Sequence, residues 1–309
     1  MAGKSGVCVL GIYNADLIFK ADRQPIMGET LLGSSFEIGA GGKGSNQAVS
    51  AARSGAKVTF ISKLGKDNFG DAALAMYARE GMTVLAEQVT DNSTGAAYIF
   101  VQNGTGSNAI IVVPGAAGTI TPADVERHAG AIRNAAVFVT QLEQPIPAAI
   151  RALEIAKAAG TTTILNTAPA APLDDAIFGL CDYVTPNESE ATGITGVAVT
   201  DVATARKAGD VLLKKGAGAA LITLGGQGAL LHTASASVHI PVFSVGKVVD
   251  TTGAGDAFNG GFAAALSRGE KPEAAARFGA AVAGISVTRP GAAASVPRLE
   301  ETRALLARS

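Results

Sequence analysis

The sequence contains few of the residues that build disulfide frameworks or transition-metal sites. Its two cysteines, Cys8 and Cys181, each lie within an apolar run, and its three histidines, His128, His232 and His239, are scattered. Isolated cysteines in apolar runs are typical of buried free thiols in a reducing compartment. Zinc sites need grouped ligands at characteristic spacings, and the sequence has none. We therefore exclude a disulfide framework and zinc chemistry.

An excess of positive charge is also missing. Lys and Arg number 25 against 26 Asp and Glu, which gives a formal net charge of −1, and the basic residues form no cluster. Proteins that bind nucleic acids neutralise several phosphates with grouped basic residues. We therefore expect no nucleic-acid partner.

No apolar run reaches the roughly 18 to 20 residues that a membrane span needs. The apolar residues 7–12 are followed by Asn14 and Asp16 without a small-residue cleavage site, so we interpret them as a first strand rather than a signal peptide. These observations predict a cytoplasmic protein that does not bind membranes.

The chain does have 38 glycines and 48% apolar residues in 309, which suits a turn-rich fold with a large core. Its length fits one large α/β domain with a small appendage, or two modest domains. Short β-branched runs alternate with helical patterns; the runs are residues 7–12, 58–62, 136–140, 161–165, 183–185 and 219–223. Helices are predicted to begin near Thr121 and Asp201. The alternation predicts a mainly parallel sheet with helices on both faces.

Two segments interrupt this alternation. Residues 17–38 and residues 96–113 have the pattern of strands and hairpins, with no helix between them. We expect them to pair into one small sheet over the edge of the main domain, a lid formed by about residues 14–40 and 95–113. Because no linker-like tract flanks them, we expect this lid to be inserted into a single domain that spans residues 1–309.

One stretch, residues 250–262 with the sequence D-T-T-G-A-G-D-A-F-N-G-G-F, resembles a phosphate-binding turn. An alternating apolar run precedes it at residues 242–249, and Phe258 and Phe262 lie one helical turn apart, so we predict a strand, a glycine turn and a helix. Gly253 and Gly255 have no Cβ atoms that would keep a ligand from the backbone N–H groups of the helix start. Such a turn favours an anion, and phosphate is the obvious one.

Asp256 is unexpected beside a phosphate site, because its carboxylate repels the ligand. The repulsion is explained if Asp256 takes a proton from a nucleophile aimed at the phosphate, which indicates phosphoryl transfer to a hydroxyl group. The alternative is that Asp256 only caps the helix, where Asp is a favoured residue.

A second glycine cluster, G-A-G-G-K-G-S-N, covers residues 39–46. It contains G-x-G-x-x-G, but no strong strand precedes it, and it is not a Walker A loop because Gly44 follows the lysine. A small-residue helix follows at residues 46–54, so Gly42, Lys43 and Asn46 stand where a helix start offers amides, an ammonium and a carboxamide to a polyol. The alternative is that these glycines only allow close packing of helix and sheet.

Polar residues also follow several predicted strands. Asn14 and Asp16 come after the first strand, Glu143 follows residues 136–140, and Asn166 follows residues 161–165. Ligands of open α/β sheets bind at the carboxyl ends of strands, so these side chains predict one crevice. Any one of them alone could equally be a solvated loop residue.

Two further segments suit a nucleotide. Residues 185–190 supply the amide of Asn187 and two carboxylates, among them that of Glu190, at a helix start, which suits a hydrated magnesium ion carried by a nucleotide. Residues 221–228 are a buried strand that runs into a glycine turn, where a flat base could approach the backbone. The alternatives are a helix cap for the first segment and a plain hairpin turn for the second.

Taken in order, these motifs resemble the ribokinase family of sugar kinases, also called the phosphofructokinase-B family. The two signature regions are G-G-K-G-S-N-Q-A at residues 41–48 and D-T-T-G-A-G-D at residues 250–256. Between them, residues 187–190 match the N-x-x-E element of the family and residues 223–225 read T-L-G. The resemblance covers nearly the whole chain. Residues 14–16, 141–143 and 166–170 are similar to the members that phosphorylate ribose.

The resemblance implies a three-layer α/β/α domain with a mainly parallel central sheet and an inserted β-sheet lid. It implies an ATP-dependent kinase for the primary hydroxyl of a pentose, with D-ribose converted to D-ribose 5-phosphate. One alternative is a kinase of the same family for another sugar, such as fructose or deoxyribose, or for a nucleoside. A second is a sugar-binding regulator without catalytic activity, against which the intact Asp256 and glycine turn argue.

The resemblance also implies roles for particular residues. The sugar would be held by Asn14, Asp16, Gly42, Lys43, Asn46 and Glu143. Asp256 would deprotonate the hydroxyl, and Gly253, Ala254 and Gly255 would form the anion hole. Asn187 and Glu190 would position phosphate and Mg²⁺, and the nucleotide would be lined by Thr223, Leu224, Gly225, Gly226, Gln227, Gly228 and Gly255. A potassium ion would be bound, mostly through backbone carbonyls, by Asp250, Thr252, Ser286, Arg289, Gly291 and Ser295.

The sequence departs from the family pattern in three places. Tyr13 replaces a small residue, Ala116 and Ala117 replace a Gly-Ala-Asn type of segment, and Ala280 replaces a His or Asn of the adenine site. The first two leave the identity of the sugar open. The lid itself would leave sheet edges and an apolar face that need covering, so we expect a homodimer formed through the lid.

Overall fold

The structure, a computed structural model, describes residues 3–308. In chain order its elements are β1 (Val7–Leu10), β2 (Asn14–Ala21), β3 (Ser35–Gly41), α1 (Lys43–Arg53), β4 (Val58–Gly65), α2 (Asn68–Arg79), β5 (Thr83–Val89), β6 (Thr94–Gln102), β7 (Asn108–Gly115), α3 (Pro122–Arg127), α4 (Ala129–Asn134), β8 (Val137–Thr140), α5 (Ile146–Ala159), β9 (Thr162–Leu165), β10 (Tyr183–Val184), α6 (Glu188–Thr195), α7 (Val202–Lys214), β11 (Ala219–Thr223), β12 (Ala229–Thr233), β13 (Ser237–Ile240), α8 (Ala254–Ser267), α9 (Pro272–Ser286) and α10 (Leu299–Leu306).

The central sheet has nine strands in the order β13-β12-β11-β10-β9-β8-β1-β4-β5. The strands from β5 to β11 pair in parallel, and β12 and β13 are antiparallel at one edge. Val7 and Val9 of β1 belong to one hydrophobic cluster with α1 and α8, whereas Cys8 and Leu10 belong to a second cluster with α5 and α7. Parallel strands buried on both faces in this way form the middle of three layers, and the predicted fold class is confirmed.

A separate sheet of four strands, in the order β3-β2-β6-β7, is called the small sheet below. β2 and β6 pair in parallel over residues 14–21 and 95–102, while β3 and β7 add antiparallel edges. The two segments predicted to form strands and hairpins therefore do pair, as the fold class predicted. Since β2 begins at Asn14, four residues after β1 ends, the small sheet starts at the carboxyl end of the central sheet.

The strand predicted at residues 242–249 is wrong. These residues follow the edge strand β13 and join no sheet, and the valines among them are 40 to 60% exposed: Val242, Val245, Val248 and Val249. Pro241, directly after β13, has no N–H to continue the ladder. The N–H of Val249 instead donates to the carbonyl of Val287 at 2.8 Å, which ties the segment to the end of α9.

Several local expectations agree with the structure. Thr121 and Asp124 form a reciprocal capping box at α3, and Asp201 caps α7. Cys8 and Cys181 are free and buried, and burial raises the pKa of each thiol to about 12. Within residues 3–308, none of the helices combines the length and the apolar character that crossing a membrane requires.

Candidate active site

Helix α8 begins at the glycine turn of residues 250–256. Gly253 precedes the helix with φ 71°, and a Cβ there would lie 2.8 Å from Cβ of Ala292, so both conformation and packing require glycine. A Cβ at Gly255 would meet no atom within 4 Å, so the space beside this residue is open. N–H groups in the first turn of a helix have no acceptor within the helix, and those of Gly255 and Asp256 lie in that turn.

Asp256, the third residue of α8, is buried and faces α1 rather than its own helix. Its Oδ2 accepts a hydrogen bond from Nδ2 of Asn46 at 3.0 Å, and its Oδ1 accepts one from Nε2 of Gln47 at 2.9 Å. The helix-cap interpretation therefore does not describe Asp256. Its carboxylate is held at the junction of the two glycine clusters.

The electrostatic surroundings of Asp256 favour a proton acceptor. Burial raises the pKa of this carboxyl group, and the nearby ammonium of Lys43 offsets part of that rise. The hydrogen bonds from Asn46 and Gln47 also act against the rise. A carboxylate with a raised pKa binds a proton more strongly than one in water and suits general-base catalysis near neutral pH.

Helix α1 begins at the second glycine cluster. Gly42 has φ 89°, and a Cβ there would lie 2.5 Å from the carbonyl oxygen of Ile12, so the glycine does serve close packing. The next residue, Lys43, also makes a site contact, because its N–H donates to Oε2 of Glu143 at 2.7 Å. Burial raises the pKa of Glu143 to about 7, although this hydrogen bond and the Lys43 charge oppose the rise. The residues of this cluster therefore serve both the close packing of helix and sheet and the contacts of the site.

Asn14 and Asp16 project from the first residues of β2. The carboxylate of Asp16 lies against Gly41, where a Cβ would be 2.2 Å from its Oδ1, and burial raises the pKa of Asp16 to about 6. Oδ1 of Asn14 and Oδ1 of Asn46 are buried and have no hydrogen-bond partner among the described residues. A buried acceptor without a partner is costly, and hydroxyl groups of a polyol would satisfy both atoms.

The six residues predicted to bind a sugar thus lie together with Asp256 in the structure. Lys43 contacts Glu143, Asn46 contacts Asp256, and Asn14 pairs with Gly41 in the small sheet. The charges of Asp16 and Asp256 both act on Glu143. Asn166 differs from our expectation, because it lies beneath the crevice and not in it: its Oδ1 accepts from Gln47 at 3.1 Å and its Nδ2 donates to the carbonyl of Thr185 at 2.7 Å.

The segment predicted to face the phosphates and magnesium forms a helix start. Asn187 and Glu190 make a reciprocal capping box at α6, so the helix-cap alternative is correct for the local structure. The buried carboxylate of Glu190 also accepts from the hydroxyl of Thr167 at 3.2 Å, and it has no ion-pair partner among the described residues. A buried carboxylate without a cationic partner fits a ligand that brings a metal ion.

The predicted nucleotide turn, residues 223–228, is adjacent to that segment. The N–H of Thr223 donates to the carbonyl of Pro186 at 3.0 Å. Leu224 follows the buried strand β11, and a short 3₁₀ turn comes next at Gly225–Gln227, with Gly226 exposed in its middle. Gly228 has φ 89°, and a Cβ there would lie 2.1 Å from the carbonyl oxygen of Ile240, so this glycine is needed to close the hairpin with β12 and β13.

The positions predicted to surround potassium fall in two segments that the structure brings together behind the glycine turn. Oδ1 of Asp250 accepts from the N–H of Thr252 at 2.9 Å, and its Oδ2 accepts from the N–H of Gly291 at 2.8 Å. The hydroxyls of Ser286 and Ser295 donate to the carbonyls of residues 283 and 292, and Arg289 forms an ion pair with Glu301.

No group of three or more His, Cys, Asp or Glu side chains that could hold a metal ion occurs within residues 3–308. The ligands that the resemblance implies for an ion behind the turn are mainly backbone carbonyls, which suit a weakly hydrated monovalent cation better than Mg²⁺.

Gln47 is a site residue to which the sequence analysis gave no role. It appeared there only as a letter of the signature, although it contacts Asp256 directly. The sequence did contain a signal, which is a glutamine between Asn46 and Ala48 in a predicted helix of small residues. Burying such a side chain costs free energy unless it is hydrogen-bonded, so its position predicts polar partners.

The departures from the family pattern are all buried. The ring of Tyr13 meets the ring of Tyr77 edge-on at 6.3 Å, and the hydroxyl of Tyr77 donates to Ser45 at 2.9 Å. Ala116 and Ala117 lie beneath the small sheet in a 3₁₀ turn, and Ala280 lies in α9. Burial and then the charge of Asp16 raise the pKa of Tyr13, so this tyrosine lies close enough to a predicted sugar-binding carboxylate to interact with it.

A family model for pfkB family carbohydrate kinases matches residues 4–299. The chain therefore belongs to the pfkB family of carbohydrate kinases, and it is a sugar kinase, as the sequence resemblance implied.

Within the family, this chain is similar to ribokinases. It is 41% identical to the ribokinase of Haemophilus influenzae, over 95% of this chain and 96% of that protein. It is also 38% identical to the deoxyribokinase of Salmonella typhi, over 96% of each. The solved structure of Arabidopsis thaliana ribokinase complexed with ribose and ATP superposes with a TM-score of 0.91 at 30% identity, and the match covers 98% of this chain and 99% of that one.

Proposed function

We propose that this protein is an ATP-dependent kinase that converts D-ribose to D-ribose 5-phosphate. The observation that carries the proposal is the buried carboxylate of Asp256, held between the amides of Asn46 and Gln47 at the open glycine turn of α8. The ribokinases among the relatives, and the Arabidopsis enzyme with its bound ribose and ATP, support ribose and ATP as the substrates.

In this proposal the sugar lies between the small sheet and the starts of α1 and α8. Its hydroxyls would donate to the two open amide oxygens, those of Asn14 and Asn46. The carboxylates of Asp16 and Glu143 would accept further hydroxyl protons, while Lys43 and the backbone of Gly42 border the same space. Donors and acceptors on several sides are what a polyol requires.

The chemical step follows from this placement. Asp256 takes the proton of the primary hydroxyl, and that oxygen attacks the γ-phosphorus of ATP. The new P–O bond forms as the bond between this phosphorus and the β–γ bridging oxygen breaks, and ADP leaves. The N–H groups of Gly253, Ala254 and Gly255 would stabilise the negative charge on the transferred group, as oriented amides do at a helix start.

The nucleotide would lie across the carboxyl ends of β10 and β11, along the turn formed by residues 223–228. Asn187 and Glu190 would hold the phosphates through the water shell of Mg²⁺, which supplies positive charge when it is bound. Potassium would bind among the carbonyls of the segments around Asp250 and Gly291, and it would keep the glycine turn in shape without touching the substrate. The packing of Ala292 against Gly253 supports this connection.

We also propose a homodimer formed through the small sheet. Five of its exposed side chains share one side, as the strand register shows: Phe19, Phe36, Ile38, Ile111 and Val113. We call this set the apolar face; Asn14 and Asp16 lie on the opposite side of the sheet. An apolar face of this size, next to the edge strands β3 and β7, favours a second copy of the chain as its cover. A cytoplasmic location is consistent with the two free buried thiols.

A panel of sugars tests the proposed reaction. ADP release would be measured with D-ribose, 2-deoxy-D-ribose, D-fructose and a nucleoside, and without any sugar. We expect the highest kcat/KM with D-ribose. A preference for deoxyribose would favour the second candidate, a deoxyribokinase, which the Salmonella relative supports. Absence of sugar-dependent ADP release with all of them would contradict the kinase assignment and favour a binding regulator.

A further inference from the structure

Gln47 lies in the second turn of α1, almost completely buried, and its whole amide is engaged. Nε2 donates to Oδ1 of Asp256 at 2.9 Å and to Oδ1 of Asn166 at 3.1 Å. Oε1 accepts from Nε2 of Gln141 at 2.7 Å. Both donor hydrogens and one acceptor position are therefore used.

These partners fix the orientation of the amide group. If the group were turned over, its oxygen would face the carboxylate of Asp256 and the carbonyl oxygen of Asn166, which are both acceptors. Two repulsive contacts would then replace two hydrogen bonds. Gln47 therefore has one orientation that the surroundings allow, and in it a donor points at Asp256.

The hydrogen bonds continue from Asn166 back to α8. Nδ2 of Asn166 donates to the carbonyl of Thr185 at 2.7 Å, and the Thr185 hydroxyl donates to Oδ1 of Asn259 at 2.6 Å. Nδ2 of Asn259 then donates to the carbonyl of Gly255 at 2.9 Å. The network thus begins at the carboxylate of Asp256 and ends on the backbone of the residue before it, which links the base to the glycine turn.

We propose that Gln47 is a positioning residue for the base: it holds Oδ1 of Asp256 so that Oδ2 is the oxygen presented to the sugar hydroxyl. Asn46 contacts the same carboxylate, but its own amide oxygen has no partner among the described residues and is open to the sugar. The hydrogen-bond partners of Gln47 are all protein groups, so its contact with Asp256 does not depend on a bound sugar. The inference rests on the kinase function proposed above.

Loss of the Gln47 amide would have two consequences. The carboxylate of Asp256 would be free to turn about its bond to the chain, so fewer complexes would have the base aligned with the hydroxyl. The pKa of Asp256 would also rise further. Burial raises this pKa, and the hydrogen bond from Gln47, which lowers it, would be missing. The charged groups that face Asp256, Lys43 of α1 and Glu143 after β8, would be unchanged.

The test compares Gln47→Leu with Ser50→Ala. Ser50 lies on the same helix and also bonds to α8, through its hydroxyl to the carbonyl of Ala257 at 2.8 Å, but it does not contact Asp256. For Gln47→Leu we expect kcat to fall about 10- to 100-fold with the KM for ribose within about twofold. We also expect the acid limb of the kcat–pH profile to move up by about one pH unit. Ser50→Ala should show neither change.

Gln141→Leu serves as a second variant, because it releases the far end of Gln47 without removing the amide that faces Asp256. It should show a smaller loss of kcat and a smaller shift in the same directions, and it keeps the inference testable if Gln47→Leu does not fold. A kcat within twofold of the unchanged protein and an unmoved acid limb, in whichever of the two variants folds, would overturn the positioning role. An equal loss in Ser50→Ala would overturn it as well. If the wild-type protein does not phosphorylate ribose, the proposed function itself is refuted.

Discussion

The side-chain amide of Asn46 donates to Oδ2 of Asp256 over 3.0 Å, and this bond joins the first turn of α1 to the first turn of α8. Two helices that both begin at glycine turns therefore meet at their N-termini, where their dipoles are positive. The buried carboxylate lies between them. A sugar bound at the start of α1 and a phosphate bound at the start of α8 would be brought together at this point.

Asp256→Asn should lower kcat by about 10²- to 10⁴-fold, because the amide cannot accept the hydroxyl proton. The ribose affinity should change by only a few-fold, and the affinity for ATP should stay the same or increase, since a negative charge near the phosphates is removed. Some stability should be lost, because one amide donor of Asn46 or Gln47 would face an NH₂ group. The measurements are kcat and calorimetric affinities, and a kcat within a few-fold of the unchanged protein would contradict the role of the base.

Glu143→Gln should alter the dependence of stability on pH. Burial raises the pKa of Glu143 to about 7 from an ordinary value of 4.5, so the folded protein binds more protons than the unfolded chain between these pH values. The free energy of unfolding therefore falls as pH rises through this window and levels off above pH 7. The glutamine cannot titrate but still accepts the N–H of Lys43.

The difference in unfolding free energy between Glu143→Gln and the unchanged protein should thus grow with pH, from near zero at about pH 4.5 to about 3 kcal/mol in favour of the variant at about pH 8. Urea unfolding at the two pH values measures it. Asp16 and Asp256 also have raised pKa values and are present in both proteins, so they contribute to the difference only through their coupling to Glu143, for which burial is the larger cause. A difference that does not vary with pH would contradict the burial of a titrating Glu143.

Ile38→Glu should convert the proposed dimer to a monomer. Ile38 is 59% exposed on the apolar face, and a carboxylate there would have to be buried without a partner in the dimer. Light scattering at micromolar concentration measures the mass. Ala203→Glu, which adds the same charge on an exposed part of α7, is the control and should remain dimeric. The dimer proposal fails if the unchanged protein is a fully active monomer at that concentration.

Potassium should raise the rate of phosphorylation more than sodium does at matched ionic strength and a constant magnesium concentration. The reason is the arrangement behind the glycine turn, where Asp250 binds the N–H of Gly291 and Ala292 packs against Gly253. A larger, weakly hydrated ion fits a cage of carbonyls at lower dehydration cost. Initial rates in the two chloride salts measure the effect, and equal rates would refute a potassium site.

Arg53→Met should lower the free energy of unfolding by about 3 kcal/mol, because it leaves a buried carboxylate with less compensation. Nη2 of Arg53 donates to Glu80 at 2.7 Å, and its Nη1 donates to the carbonyls of Ala293 at 2.8 Å and Val296 at 3.0 Å. Lys20→Met, in an exposed pair with Glu37, is the control and should cost less than about 1 kcal/mol. Urea unfolding compares them, and equal losses would mean that the Arg53 contacts add little.

Six strands of the central sheet were predictable because each is a short apolar run, as in β1, β8 and β11, whereas β5, β12 and β13 were not predicted. The glycine turns were predictable for the same reason: a local pattern determines them. The alternation at residues 242–249 misled, because period alone does not reveal whether a neighbouring strand is present to pair with. Pro241 and the position of β13 at the edge of the sheet determine that residues 242–249 do not pair. Which strand forms the edge is a property of the whole fold.

The role of Gln47 could not be predicted from the sequence, for a related reason. Its partners Gln141, Asn166 and Asp256 lie 94, 119 and 209 residues away in the chain. A sequence shows that a polar residue lies among small ones, but it does not show which distant groups satisfy it. The grouping of Asn14, Asp16 and Glu143 was easier to predict, because the carboxyl ends of parallel strands share one edge.

The bond between Asn46 and Asp256 spans 210 residues of a chain of 309. A ribosome adding about 5 to 20 residues per second needs roughly 10 to 40 s to travel from the first residue to the second. Once Glu143 has been added, the growing chain has the six residues proposed to bind the sugar, but it still has neither the base nor the glycine turn. Under the proposed mechanism, an unfinished chain therefore has no means of consuming ATP, and activity begins only with the last part of the protein to be made.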